Sequence, residues 1–255
     1  MRYYQFTRLP FGLKTSSAIF QQIMDQIFDD MKDVIFYIYD LLITGNNDKA
    51  HLNNIKKVFE RILSYGLVPN FAKILFFKNK VSFLGHDIDD KAIHANHDKI
   101  EEIINMPEPK SAAEFSTFLG IAGYYRKYLN NFADIADPLY KIVNKERWEW
   151  NLEHSRSFND LKKLISLPPA LTYFNPELLI RIATDASKSR LGAVLFHTEK
   201  DGKEKPIAFA SRTLAKTEIN YTNIEREALA IMFAIKRFQE YLLGLNLQSS
   251  RTINH

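Results

Sequence analysis

Cysteine is absent from this chain of 255 residues. No disulfide framework and no thiolate metal site can therefore form, and the composition fits an intracellular protein, in the cytoplasm or also the nucleus, rather than a secreted one. No run of about 20 apolar residues occurs, so no membrane span is expected. The opening segment Met1-Arg2-Tyr3-Tyr4-Gln5-Phe6 lacks the apolar core of a signal peptide. Internal repeats and low-complexity tracts are also missing. What is present is ordinary for a folded protein: 46% hydrophobic and 25% charged residues. The length suits one large domain or two of roughly 100–200 residues.

The charge balance is mildly basic, with a net charge of +4 and an isoelectric point near 9.0. Together with 12 tyrosines and 19 phenylalanines, it is compatible with nucleic acid, because aromatic rings stack bases while cations hold phosphates. Most of those rings are nevertheless expected in the core.

Periodicity predicts alternating elements. Ile19, Phe20, Ile23, Met24, Ile27, Phe28 and Met31 recur at helical spacing, behind the candidate caps Thr15 and Ser16. Val34–Tyr37 and Leu41–Thr44 read as a hairpin with Tyr39-Asp40 at its tip. Leu52, Ile55, Val58, Phe59 and Ile62 mark a second helix, stopped by Gly66. Leu75–Phe77 and Val81–Leu84 read as strands, with His86–Ile88 continuing beyond Gly85. Ser111 and Glu114 form a capping-box pattern before Phe115, Phe118, Leu119 and Ala122. A further helix is expected from Glu153 to Ser166, and Pro168-Pro169 marks a boundary. Then come three strands, Leu179–Thr184, Leu191–Phe196 and Ile207–Ser211, with an Asp201-Gly202 turn between the last two. A long helix follows from Ile224, with Ile224, Ala228, Ile231, Ile235, Phe238 and Leu242 expected inward.

Two groups of residues could carry chemistry. Asp40 stands in a tight hairpin, where a carboxylate can be held rigidly for the paired metal ions of phosphoryl transfer; a lone aspartate there is more often only a turn residue. Asp185, in Thr184-Asp185-Ala186-Ser187, ends a strand, and Glu227 lies on the later helix. At 100° per residue Glu227 falls about 60° from Ile224, at the edge of the apolar face. The small residues Ala230 and Ala234 flank it, whereas Glu225 lies on the other side. A solvated helix carboxylate is the plainer alternative.

The wider pattern resembles the reverse transcriptase and RNase H region of a gypsy-type LTR retrotransposon Pol polyprotein. Leu9-Pro10-Phe11-Gly12-Leu13-Lys14 through Gln21 is similar to the family's LPFGLKNAPATFQ. Tyr37-Ile38-Tyr39-Asp40 stands at its Y-x-D-D hairpin, and Phe83-Leu84-Gly85-His86 at its FLGH strand. Phe118-Leu119-Gly120, Tyr124-Tyr125-Arg126 and Phe132 to Leu139 resemble its thumb and connection. Asp185 with its neighbours, Pro206 to Arg212, and Asn220 to Ile231 resemble its RNase H-like domain. The resemblance covers essentially the whole chain. It implies a mixed α+β and α/β fold: a partial palm at 1–90, a helical thumb or connection at 91–168, and a C-terminally truncated RNase H-like domain at 169–255. It further implies Mg2+, with Mn2+ as a substitute, held by Asp40, Asp185 and Glu227. Phe11 and Gly12 would border a deoxynucleotide, and Phe83, Leu84, Gly85 and His86 the primer end. The implied partners are an RNA template, a DNA primer and an RNA–DNA hybrid.

The chain departs from that family where the chemistry sits. Tyr39 replaces the first hairpin aspartate, and a phenol, neutral at pH 7, is a poor metal ligand. A second palm aspartate is expected upstream of the segment present. Asn254-His255 resembles a relic of the family's TDH, an amide in place of a carboxylate. Arg190 stands where the family has a hairpin glycine, and strain is expected there if the backbone requires positive φ. The expectation is a catalytically impaired polymerase fragment, with a non-catalytic nucleic-acid-binding remnant as the alternative.

Overall fold

The computed structural model describes residues 12–143, 148–199 and 201–243. The chain divides into two compact units, Met1–Lys78 and Asn79–His255. Among the described residues no helix is long and apolar enough to cross a membrane.

In the first unit, α1 (Ser16–Phe28) and α2 (Asp48–Ser64) enclose a small antiparallel hairpin, β1 (Val34–Tyr37) and β2 (Asp40–Ile43). Met24, Ile27 and Phe28 of α1 meet Val58 and Ile62 of α2, with Val34, Phe36, Leu41 and Ile43 from the inner hairpin face. Thr15 precedes α1 but its side chain caps nothing, whereas Asn47 caps α2 by accepting from the Ala50 amide at 2.9 Å. Gly45 is required between hairpin and helix: a Cβ there would come within 2.5 Å of the His51 backbone nitrogen. Arg61 fastens α2 to the end of α1 by donating to the Ile27 carbonyl at 2.9 Å and pairing with Asp30.

The second unit opens with a three-stranded antiparallel sheet, β3 (Lys80–Phe83), β4 (His86–Asp89) and β5 (Ile93–Ala95). Helices α3 (His97–Ile104), α4 (Ala112–Tyr124), α5 (Phe132–Val143) and α6 (Leu152–Ser166) follow, with a 3-10 turn at Tyr125–Tyr128. Phe115, Phe118, Tyr128, Phe132, Leu139, Phe158, Leu161 and Ile165 fill their shared core. Ser111 caps α4 by accepting from the Glu114 amide at 3.2 Å. Glu114 returns its carboxylate to the Lys110 amide rather than to Ser111, so the expected box closes one residue early.

The last sheet has the order β6 (Leu179–Ala186), β7 (Arg190–Thr198), β8 (Glu204–Thr213), all antiparallel, with a bulge at Leu195/Phe196. It carries α7 (Asn223–Arg237) and the short α8 (Gln239–Leu242). Ser211 joins this sheet to the helices: its carbonyl accepts from Arg126 and its hydroxyl from the Ala133 amide at 3.1 Å.

Four local expectations are corrected. The hairpin tip at β1–β2 is Ile38-Tyr39, and Asp40 is the first residue of β2, paired with Tyr37. Leu75–Phe77 forms no strand; its side chains are exposed and Phe77 has φ +49. The chain does not continue through Gly85 as one strand but reverses there, with Phe83 paired to His86. Helix α7 is also rotated from its expected face. Arg226, Ala230, Ala234 and Phe238 are buried, while Ile224, Ile231 and Ile235 are exposed. Alanines at the contact let a helix approach a sheet closely, and that outweighs the apolar stripe.

Candidate active site

The hairpin that holds Asp40 is set by α1. Gln21 donates to the Phe36 carbonyl at 3.1 Å and accepts from the Ile38 amide at 2.6 Å, pinning the strand as it enters the turn. Phe20 packs against Phe36 and Tyr39, with ring centroids 6.0 and 5.3 Å apart. Tyr39 is 69% exposed. Asp40 is also exposed, and its carboxylate has no ion-pair or hydrogen-bond partner among the described residues. The result is one carboxylate on a rigid turn. Gly12 has φ +87 and nothing within 4 Å of a hypothetical Cβ, so its glycine serves the backbone turn and leaves that side open. Phe11 lies outside the described residues. Gln21 was within the quoted motif, yet nothing in its spacing marked it as the clamp.

The second hairpin, Phe83-Leu84-Gly85-His86, turns on two residues with positive φ, Leu84 at +48 and Gly85 at +70. It is gripped by the three tyrosines around the 3-10 turn. Tyr125 donates to the Gly85 carbonyl at 3.0 Å, and the Tyr124 hydroxyl reaches the Leu84 carbonyl. His86 stacks on Tyr124 with 5.1 Å between centroids, its Nε2 3.0 Å from the Tyr124 hydroxyl and its Nδ1 2.9 Å from that of Tyr128. With Tyr124 donating to Leu84, Nε2–H donates to Tyr124, and in the neutral ring Tyr128 donates to Nδ1. Burial lowers His86 to about 4, helped by Lys127 and opposed by Asp87. Burial likewise pushes the Tyr125 hydroxyl up to about 12. The adjacent Asp87 is pushed up by burial, but hydrogen bonds from Ser82, Lys80 and Asn96 win and hold it at about 2. The His86 side chain is thus held within the fold, while Leu84 and Gly85 at the tip are half-exposed.

In the last sheet, Asp185 stands exposed near the end of β6, paired across the ladder with Gly192. Glu227 lies half-buried in the second turn of α7, which packs on β6 and β7. Glu225 is spent on a capping box: it accepts from the Thr222 amide at 2.7 Å and the Thr222 hydroxyl at 2.9 Å. The cleft containing Asp185 is lined instead by Asn131, Asp134, Ser187, Arg190 and Ser211, and its volume is about 30 Å3. Arg190 pairs with Asp134 there. Its backbone sits in regular strand register opposite Thr213 and has no positive φ, so the expected strain is absent. Arg226 adds a second cation nearby, donating to the Ser187 carbonyl at 3.3 Å. Neither arginine was marked by sequence reading as part of a site.

Among the described residues no group of three or more His, Asp or Glu side chains gathers to hold a metal ion. A two-metal centre needs several carboxylates around one position. Asp40 offers one, and in the last cleft Asp134 is already paired with Arg190. These donors do not fit that centre.

Comparison with known proteins accords with this architecture. The family described as "Reverse transcriptase (RNA-dependent DNA polymerase)" matches residues 1–88, and "RNase H-like domain found in reverse transcriptase" matches 150–249. A foamy viral protease–reverse transcriptase solved with double-stranded DNA superposes with a TM-score of 0.89 at 24% identity, covering 97% of this chain and 44% of that one. A structure of the foamy viral enzyme with an RNA/DNA hybrid gives 0.86, covering 97% and 34%. These likenesses define the fold as that of a reverse transcriptase with an RNase H-like domain. Among curated relatives, the Pol polyprotein of Drosophila melanogaster transposon 297 is 38% identical over 95% of this chain and 23% of its own length. That of transposon opus is 34% identical over 94% and 25%, and the Schizosaccharomyces pombe Tf2-3 polyprotein 29% over 94% and 18%. The chain belongs to the retrotransposon Pol family, as a reverse transcriptase and RNase H-like segment. It spans about a quarter or less of the length of these relatives.

Proposed function

We propose that this segment engages a primer–template duplex or an RNA–DNA hybrid without efficient chemistry of its own. The observation that carries this reading is the hairpin: a well-clamped turn presenting Tyr39 and a single unpartnered carboxylate, Asp40. In the reading from the family, Asp40, Asp185 and Glu227 are the carboxylates that would face Mg2+ or Mn2+. Gly12, with Phe11, would border a deoxynucleotide, and Phe83, Leu84, Gly85 and His86 the primer end. Residues 1–90, 91–168 and 169–255 would share the work as palm, thumb or connection, and RNase H-like domain. Support for nucleic acid as partner comes from the mild positive charge and from the foamy viral relatives, solved with duplex DNA and with hybrid.

The test is a fluorescence-anisotropy titration with a labelled RNA–DNA hybrid, run beside a hybrid-cleavage assay in Mg2+ and in Mn2+. Expected are salt-sensitive binding, with affinity falling steeply as salt rises, and cleavage at background in Mg2+. Robust Mg2+-dependent cleavage that Asp185→Asn abolishes would overturn the impaired reading. No binding at low salt would overturn the proposal altogether.

A further inference from the structure

The cleft beside Asp185 contains a cation of its own. Residues Ala186 to Leu191 form the β6–β7 turn, closed by the Ser187 amide donating to the Arg190 carbonyl at 2.9 Å. Arg190 starts β7 and is fixed between its neighbours by the ladder to Thr213. Its side chain is therefore delivered into the cleft by the sheet itself. Asp134, in the first turn of α5, receives the guanidinium, so strand and helix hold it from two sides. The Arg190 Nε is buried and has no hydrogen-bond partner. A buried donor left unsatisfied is costly, so that edge of the group calls for an acceptor such as a water, not a second cation. Asp185 lines the same cleft without an ion pair to Arg190.

Charge is what decides there. Arg190 and Asp185 line one small cleft, so the guanidinium, fixed by Asp134, repels a dication that approaches Asp185, and Arg226 on the Ser187 carbonyl adds to the same field.

We infer that Arg190 is a tethered cation of this cleft, held by Asp134, that competes with a divalent metal for Asp185; this rests on the reading of Asp185 as a metal-facing carboxylate. Arg190 is thus a residue that sets whether the RNase H-like site can take a metal, independently of any ligand the chain offers elsewhere.

The experiment is a Mn2+ titration of the full chain, with free Mn2+ read by its paramagnetic resonance signal. The proteins are the natural sequence, Arg190→Gly, Arg190→Gln, Asp185→Asn and the Arg190→Gly/Asp185→Asn double variant. Circular dichroism melts report folding; should Arg190→Gly unfold, Arg190→Gln keeps a polar side chain on the strand without the charge. The expected result is a site tightened by roughly tenfold or more when the charge is removed, and lost again in the double variant. Equal affinity in the natural sequence and both Arg190 variants, weakened in each case by removing Asp185, would overturn the competition while leaving Asp185 a metal ligand. Mn2+ binding indifferent to Asp185→Asn in every background would overturn both the inference and the reading beneath it.

Discussion

At the scale of single residues, His86 is buried and held between the Tyr124 and Tyr128 hydroxyls. Its folded-state titration lies near 4 because it is buried and because Lys127 lies close, with Asp87 opposing. An unfolded histidine titrates near 6.5. Between those values the unfolded chain binds more protons, so stability is present above about pH 6.5 and is lost as pH falls towards 4. The full effect is on the order of 3 kcal/mol. Chemical denaturation across pH 7 to 4 should therefore fall more steeply for the natural sequence than for His86→Gln, by about one proton in linkage. Parallel pH profiles would show that the imidazole is not held as described. Asp87 acts lower: its depressed titration loses stability only as pH falls through the range from about 3.8 towards 2.

At the scale of elements, the two hairpin tips explain what sequence reading could and could not see. The three strands after Pro169 were legible because they alternate and are separated by turn signals, and Gly202 indeed takes φ +83. The first reversal was expected one residue late, at Tyr39-Asp40, and the one at Leu84-Gly85 was not placed, because isoleucine and leucine are poor residues for positive φ and carry no turn signature. Tertiary contacts from Gln21 and from Tyr124, Tyr125 and Tyr128 impose those turns. A β-branched residue in that region is strained by roughly 1–2 kcal/mol, so Ile38→Gly should raise the stability of the first unit by about 1 kcal/mol in urea unfolding. A loss instead would mean that the isoleucine side chain supplies packing that outweighs its strain. Helix α7 failed for another reason: its contact face is made of alanines, which hydrophobic periodicity ranks below isoleucine. Ala230→Leu should therefore destabilise by about 1–3 kcal/mol through overpacking, while Ile231→Gln should change stability by less than about 0.5 kcal/mol. The reverse ranking would restore the periodicity-based face.

At the scale of the whole molecule, the motifs fixed the family, and the structure assigned work to residues between them. The candidate carboxylates Asp40, Asp185 and Glu227 came from the family resemblance, with helix geometry favouring Glu227 over Glu225. The charges around Asp185 were not legible, because Asp134 and Arg190 are 56 residues apart and meet only through the packing of α5 on the sheet. The first unit leaves much apolar surface open: Val68 is 86% exposed and Phe71 68%. Its two-stranded sheet also has no third strand among the described residues. Such surfaces and edges promote association. Leu63→Lys with Val68→Lys should lower self-association in sedimentation velocity without lowering the melting temperature, whereas a lower melting temperature would place those side chains in a core.

With Asp40 alone beside Tyr39, templated polymerisation is not expected. The direct measurement is extension of a labelled DNA primer on an RNA template with Mg2+ and all four deoxynucleotides, comparing the natural sequence, Tyr39→Asp and Asp40→Asn. No templated product is expected from any of the three. Templated extension by the natural sequence that Asp40→Asn abolishes would contradict it.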